Sequence, residues 1–177
     1  MDALQHYFKN LKASRTDREK ALNYVNEHPE NQVILAELAF HSKAQRVHIY
    51  AAWVWELFIL EDIDRLHSYL HQCISKLPSI TNSSKRRSIS KIFWYYFRVK
   101  SNREALNENE KQKLIEAFLD WVITEDKTAP LSFSIKVLAL FQDEAPELSV
   151  QLKELLIHSN RTYPKGLNPV LRDVFKN

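Results

Sequence analysis

Apolar positions recur at spacings of three and four along almost the whole chain, a period that predicts helices. Val33, Leu35, Leu38 and Ala39 follow it, as do Leu66, Tyr69, Leu70 and Cys73, and then Leu114, Ile115, Phe118, Leu119 and Val122. Helix-start residues punctuate these runs at Thr16-Asp17, Pro29, Asp62, Asn82-Ser83-Ser84, Thr128-Ala129-Pro130 and Ala145-Pro146-Glu147. Such side chains satisfy, or do without, the free N–H groups of a first helical turn. Roughly nine or ten helices with short links are expected. The most apolar run, YAAWVWELFIL at 50–60, holds one charge, Glu56. It predicts a buried helix, because a bilayer span needs about 20 residues, and no membrane insertion is expected.

The pattern also repeats at long range. HIYAAWVWELF (48–58), RSISKIFWYYF (87–97), LSFSIKVLALF (131–141) and KGLNPVLRDVF (165–175) each end in Phe and keep apolar residues four and eight places earlier. The columns are Phe58, Phe97, Phe141 and Phe175; Val54, Phe93, Val137 and Leu171; and Tyr50, Ile89, Phe133 and Leu167. A second amphipathic segment precedes each one: ILAELAF (34–40), SYLHQCIS (68–75), AFLDWVI (117–123) and QLKELLI (151–157). The register intervals of 39, 44 and 34 residues suit helical hairpins of the HEAT or armadillo kind, each burying its apolar face on its neighbours. The expected fold is all-α, a right-handed superhelix of about four such hairpins forming a single HEAT-like α-solenoid domain over residues 1–177.

The run YAAWVWELFILEDIDRL, followed downstream by LIEAFLDWVI, resembles a family of short bacterial HEAT-like helical proteins often labelled adenylosuccinate lyase. The resemblance implies the fold. The lyase superfamily itself is known by a longer chain and a mobile Ser-Ser-x-Met-Pro-x-Lys-x-Asn loop, whereas the one methionine here is Met1 and no such loop occurs. A non-enzymatic binding scaffold is therefore expected, with no catalytic residues.

Composition narrows the chemistry. Gly166 is the single glycine, so no glycine-rich loop can bring backbone N–H groups onto a phosphate, and no nucleotide cofactor is expected. Cys73 is the single cysteine, which excludes an intrachain disulfide and a multi-cysteine zinc site. MDALQHYFKNLKASR lacks the apolar core of a signal peptide, and a cytoplasmic setting is expected. Asp64, His67 and His71 share a helical face but lack a His-Glu-x-x-His pattern and a fourth ligand, so a structural role is expected and no metal site. Cys73 fits a small core residue, and Glu27-His28 and Asp143-Glu144 fit solvated helix ends.

Charge is unevenly distributed. From Arg65 to Arg103 there is no acid and there are nine cations: Arg65, Lys76, Lys85, Arg86, Arg87, Lys91, Arg98, Lys100 and Arg103. Residues 1–64 carry seven cations against ten acids, and 104–177 carry nine against twelve, so a net charge of +3 conceals a basic band. Within it Ile89, Ile92, Phe93, Tyr96 and Phe97 form a core stripe, while Arg87, Lys91, Tyr95 and Arg98 form another with Trp94 on its border. The repeat alignment sets Trp55 beside Trp94, Glu56 beside Tyr95 and His48 beside Arg87. A groove of Trp55, Glu56, Arg87, Lys91, Trp94, Tyr95 and Arg98 is the expected binding site, weakened by apolar counterparts at Leu131, Ile135 and Leu138. Its expected partner is a protein with an acidic or amphipathic segment, with nucleic acid, held through phosphate, as the alternative. A remoter version resembles HEAT-like DNA glycosylases, with Glu56, or Asp120 beside Trp121, as the carboxylate.

Overall fold

The computed structural model of the chain describes residues 3–158 and 161–175. Among these the fold is all-α: helices joined by short links and 3-10 turns, with no strand. In order they are α1 (Ala3–Asn10), α2 (Arg15–Glu27), α3 (Asn31–Ala39), α4 (Arg46–Glu61), α5 (Leu70–Lys76), α6 (Ser83–Phe97), α7 (Lys100–Glu104), α8 (Glu108–Thr124), α9 (Thr128–Ala139), α10 (Pro146–Lys153) and α11 (Asn168–Val174). The expected helix starts are present. Ser14 Oγ accepts from the Asp17 N–H, Asp62 Oδ1 from Asp64, and Asn82 Oδ1 from Ser84 and Lys85. Asn107 and Glu110 close a reciprocal capping box on α8.

The chain divides into two compact units, Met1–Ile92 and Phe93–Asn177, with the boundary inside α6. In the first, α4 is the central element and packs against α1, α2 and α3. Ten of its sixteen residues are buried, among them Tyr50, Val54, Trp55 and Phe58, which is the pattern of a helix enclosed nearly all round. Cys73 is buried here too, and burial raises its thiol pKa, leaving it an inert apolar filler. In the second unit α8 packs on α9, and α9 on α11. Phe97 stacks edge-on against Phe93 and Phe141 at 5.8 and 5.3 Å, and Phe93 meets Phe118 at 5.8 Å. The lone glycine lies in this unit, where a Cβ on Gly166 would stand 3.0 Å from Thr128 Cγ2, so its smallness allows a close approach.

Of the expected helix pairs, α3–α4 and α8–α9 pack against each other. Nine of the twelve aligned column residues are buried, and Phe133, Leu171 and Phe175 are half-buried. Departures have local causes. The first helix of the second pair begins as a 3-10 run, Ile63–Tyr69, and α10 continues as a π turn over Glu154–His158. The short α7 was not expected from periodicity. Locally it is tied to the end of α6 by Asn102 Nδ2 donating to Tyr96 O at 2.9 Å and the Arg103 guanidinium donating to Phe97 O, and at long range by Arg103 on Glu144 at 3.0 Å.

No described residue has a positive φ, so no helix here ends in the left-handed cap that glycine usually supplies. The last carbonyls of several helices instead accept from cations. Arg46 reaches Leu11 O at 2.7 Å after α1, Lys85 the carbonyls of His41 and Lys43 after α3, and Arg65 reaches Phe58 O at 2.8 Å on α4. Arg86 Nε donates to Ile80 O at 2.9 Å, Arg103 takes the end of α6, and Arg161 takes Val122 O at 2.8 Å and the carbonyls that follow on α8. Replacing the fully buried Phe97 with Ala is expected to cost about 3–5 kcal/mol in urea unfolding, whereas Tyr95→Ala one turn of surface away should stay within about 0.5 kcal/mol.

Candidate functional site

Glu56 is the charge inside the most apolar run of the chain, and a carboxylate there must find partners. Its residue is 5% exposed. Arg87 and Lys91, one turn apart on α6, reach it from the facing helix: Arg87 Nη2 lies 2.7 Å from Oε2 and Lys91 Nζ 2.9 Å from Oε1. Buried Ser88 adds a third donor, its Oγ 2.6 Å from Oε2. Oε2 thereby accepts two donors and Oε1 one, and the two cations, each about one-third exposed, share this single carboxylate.

This arrangement corrects the expected groove in the first unit. Trp55 is fully buried, edge-on to Tyr69 at 4.9 Å and near Phe40 and Phe58, so it belongs to the core and presents no ring to a ligand. Glu56 is a structural counter-ion and not a surface acid, and Arg87 and Lys91 grip it in place of an external anion. The glycosylase version loses its carboxylate for the same reason, since a general base needs an oxygen facing substrate. Of the other candidate pair, Asp120 is exposed while Trp121 is fully buried and belongs to the core. His48 is buried against His41, their rings stacked at 4.4 Å, and not set beside Arg87 at a surface.

Lys85 is the most unusual ionisable group of this unit. It is 1% exposed, and its ammonium donates to the carbonyls of His41 and Lys43. Desolvation lowers its pKa from the ordinary 10.5 to about 8. Burial also lowers that of His48, from 6.5 to about 4, helped by the positive charges of His41, Lys85 and Lys43. This group holds the link between α3 and α4 in place. In the sequence Lys85 was legible only as one cation of the basic band, and His41 and Lys43 carried no signal.

The second unit has its own internal clamp. Glu144, expected as a solvated helix end, is 19% exposed in its side chain and accepts from Arg103 at 3.0 Å and Lys111 at 3.2 Å. The hydrogen bonds and positive charge of these two cations outweigh desolvation and hold its carboxyl below the usual range. The remaining predicted residues sit around one indole. Trp94 is half-buried, with the Arg98 guanidinium 5.1 Å and the Lys136 ammonium 4.9 Å from its ring centroid. Phe133 at 5.7 Å and Tyr95 at 4.7 Å complete the aromatic cluster, and Tyr95 is 40% exposed. Among the described residues neither Arg98 nor Lys136 pairs with a carboxylate. Sequence reasoning found Trp94, Tyr95 and Arg98 but missed Lys136 and Phe133, which arrive from α9. Leu131, Ile135 and Leu138 of that helix are fully buried, as the apolar third repeat implied.

Among the described residues no three His, Cys, Asp or Glu side chains gather as a metal site requires, and no helix is long and apolar enough to cross a membrane. Compared with known protein families, with curated proteins and with solved structures, the chain finds no match.

Two measurements follow from the first unit. Glu56→Gln should lower the unfolding free energy by about 2–3 kcal/mol, somewhat under the range for a fully buried pair because both cations keep partial solvent. For Lys85, the unfolded chain binds the extra proton between pH about 8 and 10.5, so stability rises with pH across that window. The difference in unfolding free energy, wild type minus Lys85→Met, should therefore increase from pH 7.5 to 10; a flat difference would show that Lys85 is not desolvated.

Proposed function

We propose that this protein is a non-enzymatic scaffold of HEAT-like helical hairpins, working in the cytoplasm, that binds an acidic segment of a partner protein through the cluster around Trp94. The repeat is supported by the packed pairs α3–α4 and α8–α9 and by the nine buried column residues. One observation carries the binding: two cations lie over a half-exposed indole, neither has a carboxylate partner, and an exposed tyrosine adjoins them. Aromatic area anchors an apolar side chain of the peptide, while Arg98 and Lys136 meet its carboxylates.

A protein segment is favoured over nucleic acid by the commitment of the basic band. A phosphate backbone is held by several cations spaced along its track, and each neutralised phosphate adds to the salt dependence. Arg87 and Lys91, the neighbouring cations of the expected stripe, are occupied by Glu56. The cluster offers two charges and a ring, which suits a short acidic motif better than a polyanion.

The test is a fluorescence-anisotropy titration of the full chain with a labelled Glu/Leu-rich peptide and, in parallel, with labelled single-stranded and duplex oligonucleotides. The double variant Arg98→Glu with Lys136→Glu should bind the peptide at least about tenfold more weakly than wild type, the loss of two favourable charge contacts. Equal affinity in both proteins would sink the assignment. Oligonucleotide binding stronger than peptide binding, and falling steeply with salt, would transfer the site to nucleic acid.

A further inference from the structure

A different face of the second unit carries the opposite charge. Helices α8 and α10 border a groove with a cavity volume of about 420 Å³. Its apolar part comes from Ile115 and Leu119, half-exposed and one turn apart on α8, and from the buried Leu148 of α10. Ile123 continues the same ridge another turn along α8 and is 54% exposed. Its polar part is acidic. Glu116 and Glu147 are exposed and pair with no cation among the described residues, while Lys111, the single cation of the lining, is held by Glu108 at 3.4 Å and Glu144 at 3.2 Å.

The chemistry of an occupant follows. Apolar residues at i, i+4 and i+8 form a ridge that fits between the side-chain rows of another helix. The described residues include no strand, so no sheet edge exists here to satisfy the backbone of an extended peptide. A segment that buries itself on this ridge must satisfy its own N–H and C=O groups, and a helix does so. Two carboxylates without a cation beside the ridge, Glu116 accepting only from the neutral Gln112 at 2.9 Å, select positive side chains flanking the apolar stripe.

We propose that the α8–α10 groove docks a basic amphipathic helix of a partner protein, its apolar stripe on Ile115, Leu119 and Ile123 and its lysines or arginines against Glu116 and Glu147. The site is separate from the Trp94 cluster and takes a partner of opposite charge.

The experiment uses a fluorescein-labelled amphipathic helix of leucine and lysine, about five turns or roughly 18 residues long, and its counterpart with every lysine replaced by glutamate. Titrated with the full chain at low salt, the lysine peptide should bind at least about tenfold more tightly than the glutamate peptide, and added salt should narrow the gap. Leu119→Glu should weaken the lysine peptide about tenfold or more, and Glu116→Lys with Glu147→Lys should do the same through charge alone. All of these positions face solvent at least in part, and far-UV circular dichroism checks that each variant keeps its helices. Arg98→Glu with Lys136→Glu should leave lysine-peptide binding unchanged, so failure here and failure at Trp94 are read apart. Equal affinity for the two peptides, or no effect of Leu119→Glu, would overturn the proposal. Self-association of the chain that Leu119→Glu abolishes, without peptide binding, would overturn it in favour of a second copy as occupant.

Discussion

A helix leaves its last carbonyls without partners, and a chain with one glycine has few ways to turn them back on itself. No described residue adopts a positive φ, so the usual left-handed cap is absent throughout. The protein meets the constraint with long cationic side chains. Arg46, Arg65, Lys85, Arg86, Arg103 and Arg161 each deliver N–H donors to carbonyls at or just beyond a helix end. A buried carbonyl left unsatisfied costs about 1–3 kcal/mol, so the buried Arg86 contact to Ile80 O is worth more than a surface ion pair. The cationic end groups also face the negative ends of the helix dipoles.

This constraint explains why the basic band misleads when counted along the chain. Of its nine cations, Arg65, Lys85, Arg86 and Arg103 serve carbonyls, while Arg87 and Lys91 serve Glu56. Lys100 pairs with Glu104 at 3.0 Å on an exposed turn. Acids lying outside the interval in sequence, Glu56, Glu104 and Glu144, thus return to it in space. A band without acids is a statement about one dimension. One signal did point the right way: a lone carboxylate inside an apolar run must be matched by buried donors, and the nearest repeat supplies them one and two turns before the aligned position.

Helix positions were legible because they rest on local chemistry. Periodicity placed the helices, and Asn82, Asp62 and Pro146 marked starts that need only their own first turn. The π turn after α10 and the short α7 were not legible from periodicity, and α7 is held by a contact from elsewhere, Arg103 on Glu144. Core assignment followed the same division. Ile89, Phe93 and Phe97 were recoverable from spacing, whereas Trp55 looked available only because a side chain's neighbours on an all-round apolar helix cannot be ranked by period. The Trp94 cluster was half-legible: three residues share α6 or its end, and the two that complete it come from α9.

Binding capacity in such a protein is what remains after internal demand is met. On the first-unit part of α6 little remains, because Lys85, Arg86, Arg87 and Lys91 all point their charge at carbonyls or at Glu56. In the second unit the surplus is small but of both signs. Arg98 and Lys136 gather on an indole instead of a carboxylate, and Glu116 and Glu147 stand beside an apolar ridge instead of a cation. Each surplus lies next to apolar surface. Charge on its own is well solvated and attracts weakly through salt, but charge bordering apolar area gains from the water that a partner displaces, so affinity comes from the area and selection from the sign. That pairing, more than the net charge of any segment, decides where a partner can be held.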